Sequence, residues 1–336
     1  MGVPIYALFI DFLNTPFGEA FFANPIVNQH LKNVFDAYNN MLMSRVSLKY
    51  LNEDPEGWFS PEAVYNPKTG KGFWKPEDYV LDRSNKPNWG FSSWNDWFIR
   101  KVTAQSRPLA QGKNVIVNSS DSFPLAYPKG SPLTNPTIET ASQQKFWMKD
   151  TLYSLYDMFS VKKAGVKEIV DKHFVGGTIY QAFLDPWCYH RWHSPVTGTI
   201  VKSYKLDGSY YLDKPGVYRD SDNSYIESQP MLSIVSVRQI YIIKLKDSDL
   251  HVAVIEIGMA EVSSCNTTVI EGQEVNAGEQ LGYFQFGGSS HCVIFDKRMD
   301  VTFKEGMFDM DADGNTQKQL VNSFLCNYKV KEVKNN

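Results

Sequence analysis

Residues 237–262 read VRQIYIIKLKDSDLHVAVIEIGMAEV, and this stretch decides the fold class. Its two halves, 237–245 and 251–262, are rich in β-branched and aromatic residues, which favour strands. The polar residues 246–249 between them, Lys-Asp-Ser-Asp, are typical of a turn. The stretch therefore predicts an antiparallel hairpin in a buried sheet.

Sequence on either side extends this prediction. Asp207-Gly208 interrupts a β-rich segment at 198–212, which predicts a second hairpin. Nearer the N-terminus, Asn24-Pro25 is a helix-start signal before apolar residues at helical spacing, and Ser60-Pro61 suggests a short second helix.

The sequence thus predicts an α+β chain with a helical N-terminal region, 1–105, and a β-rich antiparallel catalytic domain, 106–336. Residues 194–201 and 269–282 resemble the two halves of a biotin- or lipoyl-carrier sandwich, so we expect a barrel-sandwich-like core. The long gap between these halves argues against a carrier function.

Composition excludes several classes of partner. The 336 residues carry a net charge of −3 without a run of Lys or Arg, so nucleic acid is not expected as a partner. No apolar stretch reaches the roughly 18 residues of a transmembrane helix, and the N-terminus lacks the features of a signal peptide. We expect a cytoplasmic protein.

A metal site is not expected either. The four cysteines form no Cys-x-x-Cys pair, so neither a zinc clip nor a redox motif is indicated. Residues 309–314 match the start of an EF-hand loop, but Leu320 occupies the position that needs a bidentate Glu.

Two motifs could carry chemistry. Residues 189–195, YHRWHSP, place His190 and His193 three positions apart. Histidine is suited to proton transfer near neutral pH, although a structural histidine pair is an equal alternative. Gly287 and Gly288 precede Ser289, so the chain can bend sharply and bring the Ser289 hydroxyl to the Gly288 carbonyl. An ordinary glycine turn explains the same residues.

Asp121 is a third candidate, in VIVNSSDSFPLAY. A lone Asp after a short strand usually caps a turn. It could equally orient a histidine and stabilise its charged form.

Together these motifs resemble the phosphatidylserine decarboxylase family, most closely its soluble branch, which includes fungal L-tryptophan decarboxylases. The resemblance runs from about residue 3 to residue 300 in consistent order. The segments that carry it are FLNTPFGEAFF (12–22), GFSSWNDWFIRKV (90–102), RPL (107–109), FVGGTIYQAFL (174–184), YHRWHSPVTGTIV (189–201), GMAEVSSC (258–265) and LGYFQFGGSSHCVIF (281–295).

The resemblance implies an autoprocessing enzyme with a covalent pyruvoyl cofactor. It assigns the cleavage to the bond between Gly288 and Ser289, which gives a β chain, 1–288, and an α chain, 289–336, held together as a heterodimer. Ser289 becomes the pyruvoyl group, His193 and Asp121 form the cleavage relay, and His190 serves decarboxylation. A homo-oligomer is also implied.

This sequence departs from the family pattern at two positions. Ser290 stands where membrane enzymes of the family usually have Thr, and Ser122 follows Asp121 where they usually have Gly.

The resemblance further implies removal of an α-carboxylate through a Schiff base. A free aromatic, tryptophan-like L-amino acid is the expected substrate, because no membrane segment or basic patch is present. The alternatives are the head group of phosphatidylserine, giving phosphatidylethanolamine, and a non-catalytic scaffold. Phe9, Phe12, Phe17, Phe21 and Phe22 could dock on lipid, but we expect them to pack in the core.

Overall fold

The structure is a computed structural model of the chain. It describes residues 9, 11–13, 15–125, 145–148, 151–212, 231–259, 264–285, 289–312 and 314–331.

Local signals in the sequence set the first helices. Helix α1 (Pro16–Phe22) begins where the Thr15 hydroxyl accepts a hydrogen bond from Gly18 N at 3.0 Å. Helix α2 (Pro25–Met43) begins where Asn24 Oδ1 accepts from Ile26 N at 2.9 Å. These caps satisfy backbone N–H groups that have no partner inside the helix. The predicted helix after Asn24 is confirmed.

The other helices are short, and the strands are numerous. The helices are α3 (Trp94–Phe98), α4 (Leu155–Phe159) and α5 (Val166–His173), with 3₁₀ helices at Arg45–Tyr50 and Pro76–Asp78. The strands are β1 (Val115–Val117), β2 (Phe123–Pro124), β3 (Lys145–Met148), β4 (Thr151–Ser154), β5 (Ile179–Leu184), β6 (Arg191–His193), β7 (Gly198–Leu206), β8 (Arg238–Leu245), β9 (His251–Gly258), β10 (Ser264–Thr267), β11 (Glu274–Val275), β12 (Gln280–Gln285), β13 (Ser289–Phe295), β14 (Met299–Phe303) and β15 (Phe324–Val330).

The central sheet has seven antiparallel strands in the order β11-β7-β8-β9-β13-β5-β2. The predicted hairpin is confirmed as β8 and β9, and Asp247 adopts a positive φ of 55° in its turn. Every residue of β9 and β13 is buried, which requires cover on both faces of the sheet.

Helices α4 and α5 cover one face of this sheet. Met158 and Val170 belong to a buried cluster that also contains Ile242, Ile255 and Ile294. Two three-stranded antiparallel sheets, β10-β12-β6 and β1-β15-β14, complete the larger core on the other face. The α+β class is therefore confirmed in its coarse form; the barrel-sandwich detail and the division at residue 105 stay predictions.

A third cluster is rich in tryptophan and lies mainly in the N-terminal region. Its buried members are Leu42, Leu51, Trp58, Phe59, Trp74, Tyr79, Trp89, Trp94, Trp97, Phe98, Tyr189 and Val321. The last two come from the β-rich part, so this cluster joins the two regions. No helix in the described part of the chain is long and apolar enough to cross a membrane.

Two local predictions are wrong. After Gly208 the chain does not fold back on β7; Ser209 instead forms a parallel bridge with Ser236, and β7 pairs with β8. Residues 61–63 form turns rather than a helix, although Ser60 Oγ accepts from Ala63 N at 3.3 Å as a cap does.

The expected burial of the N-terminal phenylalanines is only partly correct. Phe22 is buried and Phe9 packs against the core. Phe17 is 82% exposed, and Phe12 and Phe21 are 41% and 48% exposed. The apolar residues of this segment therefore divide between the core and an open surface.

Candidate active site

Ser289 is the first residue of β13 and lies between two neighbouring strands. It is paired with Leu184 on β5 and with Gly258 on β9. The side chain is fully buried, and its Oγ has no hydrogen-bond partner within the described residues. Gly288, predicted as its partner at the cleavage site, lies outside the described residues.

His190 is held beside this strand end by its surroundings. Its backbone carbonyl accepts from Phe284 N at 2.9 Å, one residue before β12 ends. From Phe284, five residue steps lead to Ser289 and span at most about 18 Å. Its ring stacks on Phe98 at 4.0 Å between centroids and 15° between planes. The stacking fixes the imidazole plane against the tryptophan-rich cluster.

The His190 ring is neutral, and one of its two nitrogens has no hydrogen-bond partner among the described residues. Burial, together with the charge of Arg100, lowers the pKa of His190 to about 3. Nε2 lies 3.3 Å from the carbonyl oxygen of Pro186, which can only accept, so Nε2 carries the proton. Nδ1 then presents a lone pair, and it has no partner among the residues that the structure describes. His190 can therefore accept a proton.

His193 is also neutral, but both of its nitrogens are engaged. Nδ1 lies 2.7 Å from the carbonyl oxygen of Gly278, so Nδ1 carries the proton. Nε2 lies 2.8 Å from the hydroxyl of Tyr189 and accepts from it. Burial lowers the pKa of His193. The described contacts contain no hydrogen bond between His193 and Ser289.

Asp121 binds an arginine rather than a histidine. Its Oδ2 lies 2.5 Å from Arg107 Nη2, and its Oδ1 accepts from Arg107 Nε at 2.9 Å and from Val321 N at 2.8 Å. Burial opposes the charge of Arg107, but the bonds to Asp121 outweigh it and raise the pKa of the guanidinium. The bidentate pair is stronger than a single bond to an imidazole. The predicted direct bond from Asp121 to His193 is not among the described contacts.

Asp121 nevertheless lies in the segment that contacts His193, because His193 N donates to the carbonyl of Ser119 at 2.8 Å. The same segment binds a histidine that our sequence analysis missed. Ser119 Oγ lies 2.9 Å from His291 Nδ1, and Ser122 Oγ lies 3.0 Å from His291 Nε2. Burial lowers the pKa of His291 to about 3.

His291 shares a face of β13 with Ser289, since alternate residues of a strand point the same way. A signal for it was present in the sequence, because a histidine two positions after a serine in a predicted strand lies on the serine's side. His291, His193 and Asp121 are thus gathered around the 118–122 segment, whereas the described contacts of His190 are with Phe98, Pro186 and Phe284.

One further cluster could offer three metal ligands, namely His173, His251 and Asp296. Arg298 occupies it: its Nε lies 2.8 Å from Asp296 Oδ1 and its Nη2 lies 2.7 Å from Oδ2. This end of β13 is about 20 Å from Ser289 at the usual rise per residue. The carboxylate is satisfied by the arginine, so we interpret the cluster as a structural ion-pair network.

Comparisons with known proteins identify the family of the chain. A model of phosphatidylserine decarboxylase matches residues 94–311, and a second model with that description matches residues 1–66. The chain belongs to the phosphatidylserine decarboxylase family. Members of this family are decarboxylases, and the chain is accordingly a carboxy-lyase.

Individual relatives of this family cover most of the chain. The decarboxylase iboD of Amanita muscaria is 36% identical over 90% of this chain and 87% of its own length. The L-tryptophan decarboxylase of Psilocybe cubensis is 32% identical over 87% of this chain and 67% of its own. The phosphatidylserine decarboxylase proenzyme of Fusobacterium nucleatum is 27% identical over 88% of this chain and 93% of its own.

The Arg107–Asp121 pair gives a stability prediction. Arg107→Met should lower the free energy of unfolding by about 3–5 kcal/mol, because it leaves the Asp121 carboxylate buried without its cation. The double variant Arg107→Met/Asp121→Leu should recover most of that loss. Urea unfolding followed by tryptophan fluorescence measures both.

Lys32→Gln is the matched control, since it removes the cation of an exposed pair with Asp36. Its unfolding midpoint should stay at the wild-type value. A single Arg107→Met variant as stable as this control would contradict the described pairing.

Proposed function

We propose that the chain is an autoprocessing, pyruvoyl-dependent decarboxylase of a free aromatic, tryptophan-like L-amino acid. The observation that carries this is the Ser289 hydroxyl, which is fully buried and has no partner in the described residues. A buried hydroxyl normally finds a hydrogen-bond partner, and exceptions are concentrated at functional positions. Ser290 Oγ, next along the same interior strand, is buried without a described partner as well, but it lies on the opposite face of β13, so the face on which Ser289 lies distinguishes the two serines.

The surroundings of Ser289 fit a pyruvoyl group at this position. Gly258, directly opposite on β9, contributes no side chain beside residue 289. The Nδ1 of His190 has no described partner, and the backbone of His190 is bonded to Phe284, five residues before Ser289. The carbonyl of a pyruvoyl group supplies an electron sink for the electrons left when carbon dioxide departs.

In the proposed cleavage, Ser289 Oγ attacks the carbonyl carbon of Gly288 while His193 takes the hydroxyl proton. Nε2 of His193 must be the acceptor, because Nδ1 already carries a proton for Gly278, so the Tyr189 hydroxyl that donates to Nε2 has to turn away for this step. The peptide becomes an ester as the nitrogen of residue 289 leaves and takes a proton. Loss of the Cα proton then breaks the Cβ–Oγ bond, and water converts the dehydroalanine to pyruvoyl with release of ammonia.

His190 is proposed to act after cleavage. Its neutral ring, held flat against Phe98, can hold or deliver a proton at Nδ1 next to residue 289. Asp121 is proposed to support the relay through its segment rather than by a direct bond, since that segment contacts His193 through Ser119 O.

The choice of an amino acid as substrate rests on the relatives and on the aromatic surroundings. The two fungal relatives above are more similar to this chain than the phosphatidylserine decarboxylase above, at 36% and 32% against 27% identity. Phe98 stacks on His190 and also on Trp94, at 5.1 Å between ring centroids. An aromatic wall beside the site suits an aromatic side chain.

Phosphatidylserine is the second candidate substrate, because one observation favours it. Phe17 is 82% exposed beside the partly exposed Phe12 and Phe21, and such a patch can contact lipid. The head group carries the same α-amino carboxylate as a free amino acid.

The cleavage assignment is tested with two neighbouring serines. Ser289→Ala should remain one uncut chain without a hydrazine-reactive carbonyl, because no hydroxyl is left to attack the peptide. Ser290→Ala is the matched control, since this serine is equally buried but lies on the opposite face of β13, and it should be cut normally. Intact mass measures both, and a cut Ser289→Ala protein would refute the assignment.

We expect substitutions of His193 and His190 to impair different steps. His193→Ala should stay uncut, because the hydroxyl proton has no acceptor. His190→Ala should be cut normally but turn over about 10²–10⁴-fold more slowly, the usual effect of losing a general acid or base. Gel electrophoresis measures the cutting of both variants. The rate of amine release, divided by the hydrazine-reactive carbonyl content, measures their turnover. Normal turnover by His190→Ala would show that His190 has no role in decarboxylation.

Substrate choice is tested by incubating cut wild-type protein with tryptophan, phenylalanine, tyrosine and phosphatidylserine vesicles. We expect tryptamine to accumulate and phosphatidylethanolamine not to form, with Ser289→Ala as the blank. Phosphatidylethanolamine as the sole amine product would instead establish the lipid as substrate.

A further inference from the structure

Glu256 is a buried acid whose carboxyl group makes no hydrogen bond among the described residues. It lies in the middle of β9, is fully buried, and neither of its carboxyl oxygens has a hydrogen-bond partner in the part of the chain that is described. Asp121 and Asp296 are equally buried, and each binds an arginine. A buried carboxyl group without a partner is costly to retain, so Glu256 needs a reason to be there.

The strand register places Glu256 next to the proposed cofactor position. Glu256 is opposite His291 on β13, and Gly258 is opposite Ser289. Opposite residues and alternate residues share a face, so Glu256, His291 and Ser289 lie on one side of the sheet. Glu256 and Ser289 are diagonal neighbours, whose Cα atoms lie about 7–8 Å apart, within reach of an aromatic side chain.

The polar residues opposite Glu256 on the two neighbouring strands, His291 and Gln239, form hydrogen bonds with other residues. His291 contacts the hydroxyls of Ser119 and Ser122 through its two ring nitrogens. Gln239, opposite Glu256 on β8, donates from Nε2 to Ser203 Oγ at 3.1 Å. Because Gly258 has no side chain, nothing on β9 separates Glu256 from the space over Ser289 on this face. The carboxyl group is therefore free to bind what enters that space.

The chemistry of this group limits what it can bind. Burial raises the pKa of Glu256 well above its ordinary value, which favours the neutral acid. A neutral carboxyl group accepts one hydrogen bond through its carbonyl oxygen and donates one through its hydroxyl. It suits an uncharged N–H or O–H group in an apolar site better than it suits an ion.

We propose that Glu256 is a specificity-determining residue that hydrogen-bonds an N–H or O–H group on the side chain of the substrate. This inference rests on the proposed function, with residue 289 as the point at which the substrate is bound. An aromatic side chain lying over Gly258 would bring a ring N–H, such as that of an indole, to the Glu256 carboxyl. Substrates that lack such a group leave the carboxyl unpaired and are rejected.

The test compares substrates that differ only in this donor. Wild-type protein is given tryptophan and 3-benzothienylalanine, in which sulfur replaces the indole N–H without a large change in shape. We expect kcat/KM to favour tryptophan by at least tenfold. This comparison uses only wild-type protein, so its result is valid even if a substitution at Glu256 impairs folding.

Variants then assign the discrimination to Glu256. Glu256→Met should lower kcat/KM for tryptophan by roughly 10- to 100-fold and leave 3-benzothienylalanine near its wild-type value, which removes the preference. Glu256→Gln keeps a donor and an acceptor and should retain part of the preference. Gln239→Met is the matched control from the same row of the sheet, and its preference should be that of the wild type.

Rates are divided by the hydrazine-reactive carbonyl content of each preparation, so incomplete cutting does not enter the comparison. Equal kcat/KM for the two substrates in the wild type, or an unchanged preference in Glu256→Met relative to Gln239→Met, would overturn the role of Glu256. Failure of the proposed function is a separate outcome: wild-type protein without a carbonyl, or without any amine product from aromatic amino acids.

Discussion

The pairing of β13 with both β5 and β9 is the constraint on which the site depends. Backbone hydrogen bonds on both sides fix the position of Ser289 against Leu184 and Gly258, and they fix His291 against Glu256. A slip of one residue would turn Ser289 and His291 to the opposite face. The complete burial of β13 makes such a slip costly, because polar and apolar residues would exchange sides.

Burial also sets the protonation states around this strand. His190, His193 and His291 all have a pKa lowered by burial, so they are neutral at physiological pH. Neutral imidazoles offer one donor and one lone pair each, and their neighbours decide which nitrogen carries the proton. His190 alone among these three keeps a ring nitrogen without a described partner. The same desolvation raises the pKa of Glu256 and so favours its protonated form.

Local features of the sequence were predictable, and contacts between distant segments were not. The cap at Asn24 and the turn at 246–249 act within a few residues, so both were predicted correctly. Asp207-Gly208 failed as a hairpin signal because β8, not residues 209–212, pairs with β7. The partner of Asp121 was missed for a similar reason: the resemblance pointed to a histidine, and only tertiary packing brings Arg107 to it.

The described contacts also bear on what a cut before Ser289 would do to the molecule. The segment after the cut contains β13, which is central in the main sheet, and β15, which pairs with β1. The two hydrogen bonds of His291, with Ser119 and Ser122, would run between the two fragments. Separating the fragments would therefore open two sheets and expose a fully buried strand. Cleavage would leave the core intact and change the chain only at residue 289, because the pairing that positions Ser289 is also the pairing that holds the smaller fragment in place.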